Sequence, residues 1–140
     1  MKHNILFLDD NENLTALVAD YLERYGYVVD RAQTVAQATT LFSKRVYSMV
    51  LIDIRLSGNS LAGLDFACRL QEDSPWVPLM LFSACVSPDV EREAGRRRVR
   101  IVSKPKPLPE LKAIIAGFLD EKYPRASVPP QRESTVDRCA

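Results

Sequence analysis

Five side chains in this sequence have chemistry to offer: Asp9, Asp10, Asp53, Ser83 and Lys104. Each stands at the end of a short apolar run. ILFL leads to Asp9 and Asp10, MVLI to Asp53, LMLF to Ser83, and VRIV to Ser103 and Lys104. Two carboxylates about 4 Å apart repel by roughly 4 kcal/mol at an effective dielectric near 20. Three gathered at one place therefore call for a cation or for raised pKa values. The hard cation that takes few protein oxygens and keeps its waters is magnesium (Mg2+). A lysine adds a second positive charge as a point donor. Magnesium and lysine around one carboxylate suit phosphoryl transfer, with Asp53 as the in-line nucleophile and the Ser83 hydroxyl bonding the transferred group.

Those five residues meet only if the elements carrying them line up. Ile5–Leu8, Tyr27–Val29, Met49–Ile52, Leu79–Phe82 and Val99–Val102 are too short for helices and read as buried strands. Between them the apolar spacing becomes helical: Leu14, Leu17, Val18, Tyr21, Leu22 and Tyr25, stopped by Gly26; then Val35, Ala38, Leu41 and Phe42 behind a Thr34–Gln37 capping box. Leu64, Ala67 and Leu70 give a weaker stripe, Pro88–Ala94 a short helix, and Leu111, Ile114, Ile115, Phe118 and Leu119 a clear last one. Five strand–helix units with right-handed crossovers predict an α/β, doubly wound, five-stranded parallel sheet with helices on both faces. Ligands of such a sheet bind outside the carboxyl ends of the strands, where the five residues fall.

The 140 residues suffice for one domain. With 46% hydrophobic and 26% charged residues and a net charge of +1, no global field points to nucleic acid or to a membrane surface. Cys68, Cys85 and Cys139 show no metal spacing, and an odd count fits reduced thiols. The early acidic pair gives the expectation of no signal peptide, and no apolar run reaches membrane-span length. The expectation is a cytoplasmic domain over residues 1–122, with a polar, proline-bearing tail over 123–140 that stays disordered. His3 reads as inert at a frayed terminus and Trp76 as packed near a strand start. The run Arg96, Arg97, Arg98, Arg100 reads as a solvated face, because no aromatic residue is interleaved with it.

The strings ILFLDDNE, VLIDIRLSG, PLMLFSA and VSKP resemble the receiver domains of two-component response regulators, the CheY-like superfamily, over residues 3 to 121. The resemblance implies a flavodoxin-like strand order 2-1-3-4-5. It implies Asp53 as phosphoacceptor, with Mg2+ on Asp9, Asp10, Asp53 and the backbone carbonyl of Arg55. It further implies Ser83 as the switch hydroxyl, Ala84 keeping the site open, Lys104 pairing with the phosphoryl group, and a cis peptide before Pro105. The implied partners are a sensor histidine kinase or phosphotransfer protein as donor and a downstream protein that reads the switched surface. No membrane or direct nucleic-acid binding is expected, and a dimer is allowed.

Three features depart from the family pattern. The loop after Asp53 carries Ser57 at the usual proline position and Gly63 two residues later than the usual glycine. The stretch Gly95–Lys104 is also longer and unusually basic. Ile101 stands where an aromatic switch residue is common. Two other readings remain open from the residues: a magnesium-dependent aspartyl phosphatase, disfavoured by Arg55 where such enzymes carry a second acid, and a receiver that serves only as a scaffold.

Overall fold

The computed structural model describes residues 3–54, 56, 62–84, 87–104 and 107–124. The alternation expected from the sequence is present: β1 (Asn4–Leu8), α1 (Glu12–Glu23), β2 (Val28–Ala32), α2 (Val35–Lys44), β3 (Met49–Ile52), α3 (Ala62–Asp73), β4 (Leu79–Ser83), α4 (Pro88–Arg96), β5 (Arg100–Ser103) and α5 (Leu108–Lys122). The five strands are parallel in the order β2-β1-β3-β4-β5. The proposed cis bond at Pro105, the Arg55 carbonyl, Ser57, Cys85, Cys139 and the tail beyond Pro124 lie outside the described residues.

Alternate side chains of the strands feed two cores. Leu6, Leu8, Val50, Ile52 and Leu81 pack on one face with Ala38, Leu64, Phe66 and Ala67. Ile5, Phe7, Leu51, Met80 and Phe82 pack on the other with Val18, Leu22, Leu111, Ile115 and Phe118. Each large apolar side chain removed from water contributes about 1.5–3 kcal/mol, so both faces of the sheet are tied to helices.

Local chemistry sets the helix ends. The Asn11 side chain accepts from Leu14 N at 3.0 Å, Thr34 from Gln37 N at 3.1 Å, and Ser87 from Val90 N at 3.2 Å. The Thr34–Gln37 box closes one residue early: Gln37 Oε1 accepts from Gln33 N rather than from Thr34 N. The end of α4 is unusual. Val99 N donates to Ala94 O and Arg98 N to Gly95 O, which is the Schellman pattern. Its left-handed residue is Arg98, at φ 58°, where glycine is the common choice. A side chain held there costs about 1–2 kcal/mol.

Several expectations need correction. β2 runs Val28–Ala32 rather than Tyr27–Val29, and β5 begins at Arg100 rather than Val99. Leu17 and Tyr25, counted in the apolar stripe of α1, are exposed, and so is Trp76 at 75%. His3 is not loose. Its Nδ1 lies 2.8 Å from Ser48 Oγ, and its ring lies against Tyr27 and Tyr123.

Candidate functional site

Register brings the acidic residues together. Leu8 pairs with Ile52 across β1 and β3, so Asp9 and Asp53, the next residue on each strand, emerge side by side. The ladder continues past both strands: Asp53 N donates to Leu8 O at 2.8 Å, and Asp9 N to Ala32 O at 3.0 Å. One carboxylate oxygen from each of Asp9, Asp10 and Asp53 lies within 4.8 Å of the other two. Asp9 is fully buried, Asp53 nearly so, and Asp10 is exposed.

Lys104 completes the group from the far side of the sheet. Ser83 pairs with Ser103, and Lys104 N donates to Ser83 O at 2.8 Å. That bond fixes the lysine backbone at the mouth of the site. Its Nζ reaches Asp9 Oδ2 at 2.5 Å and Asp53 Oδ2 at 3.5 Å, while packing 5.2 Å from the centre of the Phe82 ring. The other Asp9 oxygen accepts from Asn11 N at 2.9 Å, which ties the acidic pair to the start of α1. Among the described residues, three carboxylates thus face one ammonium. The surplus negative charge and all-oxygen donors fit a hard divalent cation, and the exposed Asp10 leaves it an approach from solvent.

Ser83 is buried at the end of β4, and Ala84 beside it is exposed and small. Ile101 is half-buried against the α2/α3/α4-side core. Two roles escaped sequence reading. Asn11 does double duty as helix cap and as donor to Asp9, a role its place in DDNE signals only once Asp9 is known to be buried. Gly63 donates to Ile54 O at 2.7 Å, and a Cβ on it would come within 1.7 Å of the Asp53 carbonyl oxygen. Glycine here lets α3 start directly beneath the central aspartate.

Comparison with known proteins shows the family. The family described as Response regulator receiver domain matches residues 5–116. The chain belongs to that family. Among curated relatives, this receiver domain is 31% identical over 137 residues to the aerobic respiration control sensor protein ArcB of Escherichia coli (strain K12), covering 94% of the chain and 17% of ArcB. It is 32% identical over 83 residues to the nitrogen assimilation regulatory protein NtrX of Azorhizobium caulinodans, covering 59% of the chain and 18% of NtrX. The chain thus spans under a fifth of the length of these relatives. The receiver domain of NtrX from Brucella abortus superposes with a TM-score of 0.74 at 26% identity, over 83% of this chain and 98% of that one. A CheY-like receiver domain protein from Methanospirillum hungatei JF-1 superposes at 0.80 with 20% identity, over 87% and 97% of the two chains, and so speaks to the fold alone. No described helix is long and apolar enough to cross a membrane.

Proposed function

We propose that this receiver domain takes a phosphoryl group on Asp53 and serves as a regulated protein-interaction switch in a phosphorelay, rather than as an enzyme that turns over a free substrate. The observation that carries this reading is the convergence of the Asp9, Asp10 and Asp53 carboxylates within 4.8 Å, with Lys104 on two of them.

Asp9, Asp10 and Asp53 would hold Mg2+, and the bound ion would supply positive charge to phosphoryl oxygens. The protein's own groups do the rest. Asp53 is held in place by Asp53 N on Leu8 O and by the α3 start against its backbone, so its carboxylate is presented rather than found by search. A carboxylate oxygen of Asp53 bonds to phosphorus as the phosphorus–nitrogen bond of a phosphohistidine donor breaks, and the imidazole leaves with its electron pair. Lys104 is already 3.5 Å from Asp53 and exchanges part of its Asp9 contact for the arriving phosphoryl oxygens. The Ser83 hydroxyl is the donor that closes on the new group, with Ala84 leaving room beside it. Added charge at this rim shifts a pre-existing equilibrium between surface conformations. The donor is a sensor histidine kinase or phosphotransfer protein, the reader a downstream protein, and the setting the cytoplasm, with residues 1–122 forming the functional unit.

The test is intact-mass spectrometry after incubation with a small phosphodonor. The expected result is one added phosphoryl group with magnesium, none with a chelator, and none in Asp53→Ala. Modification that ignores magnesium, or that persists in Asp53→Ala, overturns the reading.

A further inference from the structure

The opposite rim of the sheet, at the amino ends of β4 and β5, carries a second feature that the phosphorylation chemistry does not use. A groove of 370 Å³ lies there between the Trp76 turn, the α4–β5 turn and the end of α5. Trp76, Arg98, Arg100 and Lys122 line it, with Glu121 as its acid and Phe118 in its floor. Trp76, Arg98, Arg100 and Lys122 are all exposed. Arg96 and Arg97 are engaged by Glu93 at 3.0 Å, whereas among the described residues Arg98 and Arg100 have no carboxylate partner. The arginine run thus divides into a paired half at the end of α4 and a half turned to the groove. The aromatic residue that the run lacks in sequence is supplied from 22 residues away by the pairing of β4 with β5.

Arg98 carries a second, independent observation. It occupies the left-handed position of the α4 Schellman cap at φ 58°, a place that favours glycine. Backbone strain kept at a residue whose side chain lines a groove points from the strained residue to a use for that side chain.

We infer that this groove is a docking site for an acidic segment of a protein partner that sets a bulky apolar side chain against Trp76 and carboxylates on Arg98, Arg100 and Lys122. Charge complementarity selects the occupant: three cations against one carboxylate favour an anionic ligand, and an exposed indole beside them favours one with an apolar anchor. A peptide suits better than nucleic acid, because the chain as a whole carries only +1 and, with Phe118 buried, the groove exposes one aromatic side chain rather than a track of them. The site is independent of Asp53.

The test uses the full chain and a fluorescein-labelled peptide, Glu-Asp-Leu-Phe-Asp-Glu, read by anisotropy. Trp76 is the only tryptophan, so its emission with the unlabelled peptide reports on the groove itself. Saturable binding with a shift in Trp76 emission is expected. Affinity should fall about tenfold in Arg98→Gly and in Arg100→Ala, and stay unchanged in Asp53→Ala. Arg98→Gly relieves the cap, so its melting midpoint should equal or exceed wild type, and lost binding cannot then be lost folding. The inference is overturned by absent binding, by an unmoved Trp76 signal, by wild-type affinity in Arg98→Gly, or by tighter binding of oligodeoxythymidylate than of the peptide.

Discussion

Replacing Gly63 by alanine adds one methyl group where the start of α3 meets the backbone just after β3. The new Cβ would sit 1.7 Å from the Asp53 carbonyl oxygen, 2.6 Å from its carbonyl carbon and 2.7 Å from Ile54 Cα. All three are backbone atoms, so no side-chain rotation relieves the clash. Ordinary contact begins near 3.4 Å, and reaching it demands roughly 1.7 Å of separation between the α3 start and the Asp53 backbone. Overpacking of this kind costs about 1–3 kcal/mol even when it can be spread over neighbours. Misplacing a reacting group by about 1 Å costs on the order of 10²-fold in rate. Gly63→Ala should therefore unfold at lower urea and lose about two decades in the rate of phosphorylation by a small phosphodonor, followed by Phos-tag mobility. Gly117→Ala is the control. Its Cβ meets nothing within 4 Å on an exposed turn of α5, so stability should rise by about 0.5–1 kcal/mol with the rate unchanged. Equal stability and equal rates for Gly63→Ala and wild type would refute the argument that this glycine positions Asp53.

Two further outcomes follow from the contacts. Lys104→Ala leaves the fully buried Asp9 carboxylate without its ammonium, which should lower stability by about 3–5 kcal/mol in magnesium-free buffer. Added magnesium should restore more stability to the variant than to wild type, and a thermal melt with equal magnesium effects on both would contradict this. Burial first, then the hydrogen bond that Tyr47 donates to Asp30, raises the Tyr47 phenol well above its usual range. The folded chain then keeps this proton longer than the unfolded chain, so the contribution is fully present below about pH 10 and is lost as pH rises further. Tyr47→Phe should flatten the alkaline decline in urea-unfolding stability, and an unchanged slope would count against the assignment.

The meeting of Asp9, Asp10, Asp53 and Lys104 was legible from sequence because these residues sit at the ends of apolar runs, and a parallel sheet aligns those ends. Ile5–Leu8 and Met49–Ile52 are buried on both faces and read without ambiguity. β2 was misplaced because it is an edge strand. Asp30 and Arg31 look like loop, yet Asp30 serves Tyr47 and Arg45, and Ala32 pairs with Leu8. Tyr25 fits the apolar spacing of α1 but lies exposed, with Tyr21 and Lys112 against its ring. The contact between His3 and Ser48, and the meeting of Trp76 with Arg98 and Arg100, depend on elements far apart in the chain, and no local pattern announces them. The strain at Arg98 is equally invisible, since nothing in the residue type signals a left-handed backbone there.

In the proposed mechanism the side chain of Asp53 is the phosphoryl acceptor. Phosphorylated protein can be reduced with borohydride, which converts an aspartyl phosphate to homoserine, and the chain then sequenced by tandem mass spectrometry. Homoserine at position 53, formed only when magnesium was present during labelling, is the predicted result. Homoserine at position 9 or 10, or phosphate retained on a serine or histidine with residue 53 still aspartate, would contradict it.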